Sequence, residues 1–361
     1  MLSRPRLKSW LANLALVAVS VGFVFVVCEI GIRVVESARQ AKEAAGESWA
    51  IYDENLGYRP RPDFGDSNAH GLRGSAVDAP KQRFRVLMLG DSVIYYGDDA
   101  SDTVPGQLER ALRVEPRLAP TEVLNAGVRG YTNYQELGYL KQYGVALEPD
   151  LVGVAFVLND LHRILHKFKV ENGKIVGQQY AFADDAVRSV ESPIYRLARQ
   201  SHFLVWLRRQ LSLFDDLIEL YAGQRFTFDY RPDFNTAWRD EAWRDIDAQL
   251  AEMATLGRQH GFRVFLVAFP FGDQLRPDYL ARNREYVTYP QRKLAEITGR
   301  LGIPYLDLFP VLDLSRDFDP DHVHLTKRGR AVAGERIARF LVDERLVPPT
   351  ASQPSARTTT Q

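Results

Sequence analysis

Four short stretches of this chain carry side chains able to do covalent chemistry, and they lie far apart in sequence. Gly90-Asp91-Ser92 puts a hydroxyl just after a glycine that permits a tight turn. Asn125 to Tyr131 is a loop carrying Gly127 and Gly130, able to present a backbone N–H. Asn159-Asp160 offers a side-chain amide where a developing oxyanion needs a donor. Asp317 to Thr326 contains Asp321 three residues ahead of His324, near enough for the carboxylate to fix the imidazole tautomer if the loop curls. Taken singly these are ordinary, since serines cap helices and Asn and Gly form turns. Taken together they supply a hydroxyl, a base, an orienting acid and oxyanion donors, which is the set that nucleophilic acyl transfer requires.

Such groups meet only if the intervening chain brings them to one edge. The first three stretches each follow a short apolar run: Phe84–Leu89, Thr121–Asn125 and Leu151–Leu158. Two more runs, Phe262–Phe269 and Ile303–Leu308, come later. Strands that are apolar without alternation are buried on both faces, which calls for a parallel sheet covered by helices. Helical patterns such as VPGQLERALR and NYQELGYLKQYG fall between them. The expectation is a doubly wound, three-layer α/β domain over residues 51–346, with its site beyond the carboxyl ends of the strands. Residues 163–234 break the rhythm and are expected to be a helical insertion, with Pro193–Gly223 a helix of wide apolar face.

Composition narrows the function further. The 361 residues hold 46 Lys and Arg against 46 Asp and Glu, so no net field draws nucleic acid. The single cysteine, Cys28, excludes intrachain disulfides and thiolate metal clusters. Ser9 to Cys28 is free of charge for 20 positions, enough to cross a bilayer as a helix. It predicts a transmembrane helix over 9–28, a cytoplasmic amino terminus over 1–8 and a juxtamembrane linker over 29–50. Arg4, Arg6 and Lys8 precede it and Arg33, Arg39 and Lys42 follow, and the compact cluster with the amino group favours that orientation, an extracytoplasmic domain held in an inner membrane. Residues 347–361, rich in Pro, Ser and Thr, are expected to form a disordered tail.

Gly90-Asp91-Ser92, Gly130, Asn159 and Asp321-x-x-His324 resemble, in chain order, the successive blocks of the SGNH, or GDSL-type, hydrolases. The resemblance implies a flavodoxin-like three-layer α/β/α sandwich and a serine-dependent esterase, lipase, carbohydrate deacetylase or O-acyltransferase. It implies Ser92 as nucleophile, His324 as general base and Asp321 as its orienter. The N–H groups of Ser92 and Gly130 and the amide of Asn159 would form the oxyanion hole, with Gly90, Asp91 and Asp160 in support. The third block departs from the family's Gly-x-Asn-Asp, since Val157 replaces the glycine and implies a narrower pocket floor. Tyr58-Arg-Pro-Arg-Pro and Asn68-Ala-His-Gly-Leu-Arg-Gly resemble the leader of membrane-anchored bacterial members linked with surface polysaccharides.

The favoured expectation is therefore an esterase or deacetylase acting on O-acyl, chiefly O-acetyl, groups of cell-surface carbohydrate or a small ester. An O-acetyltransferase with the same triad would need a membrane acyl-transfer partner, and a non-catalytic carbohydrate-binding protein is the reading from outside enzymology. No metal or cofactor is implied: Asp317, Asp319 and Asp321 mimic a calcium loop, but His322 stands where it needs glycine and Arg328 where it needs glutamate. His322 rivals His324 as the base, but only His324 has an aspartate three residues ahead. Tyr95, Tyr96, Tyr131 and Tyr134 are equally suited to packing or to stacking on a substrate.

Overall fold

The protein is described from a computed structural model over residues 4–45, 49–171, 174–180, 201–211, 228, 231 and 234–350. The chain divides into two units, Met1–Ser48 with Asp184–Thr227 and Trp49–Ala183 with Phe228–Gln361.

In the larger unit the apolar runs form a five-stranded parallel sheet. After a short antiparallel hairpin, β1 (Ala50–Asp53) and β2 (Gly57–Pro60), come β3 (Phe84–Gly90), α2 (Ser92–Tyr95), α3 (Val104–Arg113), β4 (Thr121–Gly127), α4 (Asn133–Tyr139) and β5 (Leu151–Phe156). A second hairpin, β6 (His166–Glu171) and β7 (Lys174–Tyr180), follows. The rest is α6 (Trp243–His260), β8 (Arg263–Ala268), α7 (Pro277–Val287), α8 (Tyr289–Leu301), β9 (Tyr305–Asp307), α9 (Leu314–Asp317) and α10 (Lys327–Asp343). The sheet order is β4-β3-β5-β8-β9, all parallel, which is the flavodoxin-like order with its reversal at β3. Every residue of β5 is buried, as are all of β3 after Phe84, so the lack of alternation has its physical cause in a sheet covered on both faces.

The chain leaves β3 for β4 in one direction and returns past β3 to β5 in the other. With right-handed crossovers, α3 therefore covers one face, and α4, α6 and α8 cover the opposite one. The last helix, α10, packs on α3, where a Cβ at Gly334 would meet Gln107 Cβ at 2.5 Å. Arg330 of α10 bonds the Asp102 carbonyl at 2.9 Å and pairs with its carboxylate. These contacts tie the loop just before α10, which holds His324, to the β3–α3 side of the sheet.

Two boundaries of the larger unit differ from the sequence expectation. The inserted stretch opens with the β6–β7 hairpin before any helix; of the expected helix Pro193–Gly223, only the part within α5 (His202–Leu211) is described, and the remainder lies outside the described residues. Residues 347–350, expected to open the tail, belong to the fold. Val347 is 3% exposed, and residues 348–350 bond to residues 117–119, so apolar Leu346 and Val347 still serve the fold. Residues 351–361 lie outside the described residues.

In the smaller unit α1 (Arg4–Ala45) is one continuous helix. Its stretch Ala15–Val35, 21 residues of mean hydropathy 2.5, is long and apolar enough to cross a membrane, as a single-pass anchor or a signal sequence must be. The stretch begins later than the expected span of 9–28 and runs on past Cys28, through the charged Glu29 and Arg33. Glu29 and Arg33, four apart, pair at 2.7 Å, which offsets the two charges. Glu29 also accepts the N–H groups of His202 and Phe203 at the start of α5.

Candidate active site

Ser92 stands at the carboxyl end of β3, where the strand order reverses and open α/β sheets keep their sites. Asp91 caps α2 by accepting the Val93 N–H at 2.8 Å. Ser92 then begins the helix, so its own N–H has no intrahelical acceptor. Two glycines paired across β3 and β4 set the height of α2. A Cβ at Gly90 would meet Ile94 at 2.9 Å, and one at Gly127 would meet it at 2.6 Å. Asn125 Nδ2 donates to the Ile94 carbonyl at 3.0 Å, joining β4 to α2. Arg73, in the leader motif, donates to the carbonyls of Tyr95 and Gly97 and holds the chain after α2.

The loop before α10 brings the distant groups in. His324 Nε2 lies 2.9 Å from Ser92 Oγ, and His324 Nδ1 lies 2.5 Å from Asp321 Oδ2. Asp321 also accepts the N–H groups of Val323 and His324, each at 2.9 Å, which makes the curl that the spacing required. Burial alone would raise the Asp321 carboxyl, but these three donors outweigh it and hold the group at about 2. Burial would lower His324, and the hydrogen bond and charge of Asp321 more than reverse this, with Asp91 and Asp319 adding to it, so its pKa lies above the usual 6.5. The Tyr96 ring meets the imidazole edge to face, centroids 4.7 Å apart.

The expected donors follow β4 and β5, the two strands that flank β3. Asn159, in a short turn after β5, donates Nδ2–H to Asp91 Oδ2 at 3.2 Å and keeps a second N–H. Gly130 takes φ 72°, and among the described residues its N–H has no acceptor. Ser92 Oγ is also 3.5 Å from Asp91 Oδ2. Val157 is 2% exposed and its N–H donates to Asp160 Oδ2 at 2.7 Å. Of the four tyrosines, Tyr131 is fully buried, whereas Tyr96 and Tyr134 are 38% and 36% exposed.

Three features escaped the sequence reading. Glu136 on α4 is 1% exposed with neither oxygen partnered, and Asp160 is as deep with Oδ1 unpartnered. Burial, then Asp91, raises the Glu136 carboxyl well above its usual range; burial, then Glu136 and Asp91, does the same to Asp160. The signal was a glutamate three and four residues ahead of Tyr139 and Leu140, on the apolar side of its helix. Arg129, beside Gly130, lies over the rings of Trp49 and Tyr95 at 4.4 and 4.9 Å. Asp273, after β8, binds His322, and only the topology brings that pair together.

A Ser–His–Asp relay at the carboxyl edge of a flavodoxin-like sheet is the architecture of a serine acylhydrolase. The chain belongs to the GDSL-like lipase/acylhydrolase family, whose model matches residues 88–332, a span that holds Ser92, Gly130, Asn159, Asp321 and His324. It is an SGNH-type, ester-hydrolysing enzyme. No curated protein matches it. A crystal structure of TesA is 15% identical, covering 71% of this chain and 97% of its own at TM-score 0.42. The lipase/acylhydrolase from Enterococcus faecalis is 15% identical, with 74% and 99% covered and TM-score 0.42. Axe2, an acetylxylan esterase from Geobacillus stearothermophilus, is 15% identical, with 72% and 93% covered and TM-score 0.39.

Proposed function

We propose that this enzyme removes O-acetyl groups from carbohydrate at the cell surface through an acetyl-enzyme on Ser92. The observation that carries the reading is the unbroken relay from Ser92 Oγ through His324 to Asp321, at 2.9 and 2.5 Å. Ser92 Oγ attacks the ester carbonyl as its proton passes to His324 Nε2, and Asp321 stabilises the imidazolium. The oxyanion is received by the N–H groups of Ser92 and Gly130 and by the free N–H of Asn159. His324 returns the proton to the departing alkoxide, which leaves as the sugar hydroxyl. Water then attacks the acetyl-enzyme, giving its proton to His324, and acetate leaves as Ser92 regains a proton. Asp91 and Asp160 support this set, Asp91 by holding the Asn159 amide and Asp160 by bonding the Val157 N–H.

The carbohydrate assignment draws on the leader motif, and the location on α1, read as an inner-membrane anchor with the domain outside the cytoplasm. The test uses the full chain in detergent with p-nitrophenyl acetate, longer esters and a fluorophosphonate probe. Turnover that falls with acyl length, and labelling that Ser92→Ala abolishes, are expected. Wild-type protein that neither labels nor turns over would overturn the reading. A carboxyl-terminal reporter active in the cytoplasm would overturn the orientation.

A further inference from the structure

The loop that carries His324 holds a second pair of the same kind. His322 Nδ1 donates to Asp273 Oδ1 at 2.6 Å, with side chains 40% and 9% exposed. With that N–H committed, the neutral ring keeps its lone pair at Nε2, which has no protein partner among the described residues. The residue is held there against backbone preference: His322 has φ 59°, in the left-handed region that residues with a Cβ resist. Its N–H donates to the Asp319 carbonyl at 2.9 Å, and its carbonyl accepts from Gly272 at 2.8 Å. A Cβ at Gly272 would lie 2.7 Å from that carbonyl, so the two loops close on each other at a glycine.

The sheet order fixes where this pair lies. Ser92 follows β3 and Asp273 follows β8, and β5, whose end leads to Asn159, lies between. Two strand spacings, roughly 10 Å, therefore separate the two ends. An ester whose carbonyl rests between Ser92 and Asn159 has room to lay one of its halves along the edge toward β8 if it turns away from β4. If the acyl half is acetyl it is too short to cover that distance, and the alcohol half is the one that reaches His322. This step rests on the acetyl-ester reading above.

We propose that the Asp273–His322 pair is a second substrate-binding group, with His322 Nε2 receiving a hydroxyl on the alcohol half of the ester, a polyhydroxylated ring. Asp273 acts as its positioning residue by keeping the ring turned and the Nδ1 proton in place.

The test compares two acetate esters that give the same acetyl-enzyme and differ only in the alcohol, p-nitrophenyl acetate and a monoacetylated glucose, with the full chain in detergent. His322→Ala and Asp273→Asn are each expected to lower the ratio of kcat/KM, sugar ester over phenyl ester, about tenfold. A ratio unchanged within twofold overturns the proposal, whether both rates fall together or neither falls. His322→Gln, which can still bond Asp273 and hold the loop, should lower the ratio as well if His322→Ala does not fold. Binding of the sugar ester to Ser92→Ala protein, measured by calorimetry, should weaken about tenfold when His322→Ala is added. Equal affinity, or no binding at all, overturns the proposal even where turnover is absent. Absence of turnover in the wild type with both esters tells against the hydrolytic reading alone.

Discussion

Asp321 at the rim of the site and Asp160 beneath it are the same residue type and end in opposite states. Asp321 is half-exposed, takes three donors and is held at about 2. Asp160 is 1% exposed, takes one donor and faces Glu136 and Asp91, and its carboxyl is driven well above its usual range. Asp91 lies between these cases. It accepts from Val93 and Asn159, yet complete burial still raises it. Donors therefore decide ionisation at the rim, and desolvation decides it below. The site thus has a charged upper layer that handles protons and a lower layer of carboxyls that favours keeping them.

Substitutions that break the upper layer should have the largest effects. Ser92→Ala and His324→Ala are each expected to lower kcat for p-nitrophenyl acetate roughly 10⁴-fold or more, with far-ultraviolet circular dichroism unchanged. Asp321→Asn should cost roughly 10³-fold and move the pH profile. His324 must be neutral to accept the proton, so activity rises with pH through its raised pKa, and the wild-type half-point should lie above 6.5. Removing the Asp321 charge leaves burial to act on the imidazole, and the half-point should move down. Asn159→Ala, which removes one oxyanion donor, should lower kcat roughly 10²-fold with little change in KM.

The smallest effect tests the lower layer. Glu136 takes up a proton on folding because its folded pKa lies above 4.5, so stability falls as pH rises from there through the raised value. Glu136→Gln cannot ionise. Its melting temperature should match the wild type at acidic pH and exceed it at mildly alkaline pH, by an amount equivalent to about 1–2 kcal/mol. A difference that does not grow as pH rises would mean that folding leaves the Glu136 carboxyl unraised.

Much of this site was legible in the sequence because its groups sit where strands end. Apolar runs mark β3, β4, β5, β8 and β9, and the reactive residues follow the strands directly or lie three apart in one loop. Asp273 was not legible, because the partner that gives it meaning lies 49 residues away and only the sheet brings them together. Glu136 was hidden by the habit of placing charges on solvated faces, a rule that functional cores break. The β6–β7 hairpin was legible too, since Asn172-Gly173, a strong hairpin turn pair, separates HKFKVE from KIVGQQY, but the wide apolar helical pattern further along the insertion masked it. The span of α1 was cut at Glu29 because a sequence read residue by residue does not see a charge offset four positions on.

Gly90 and Gly127 carry a consequence for anyone who surveys this protein by substitution. The two face each other across β3 and β4, and the space their missing methyl groups leave is filled by Ile94. The Ser92–His324 contact is 2.9 Å long, and lifting the serine by a few tenths of an ångström would lengthen and weaken it. Alanine at either glycine would lift α2 and so act on rate before it acts on stability. A saturation survey scored by activity would mark both as intolerant beside the triad, although neither has a functional group, and its map would outline the mould that holds the serine together with the serine itself.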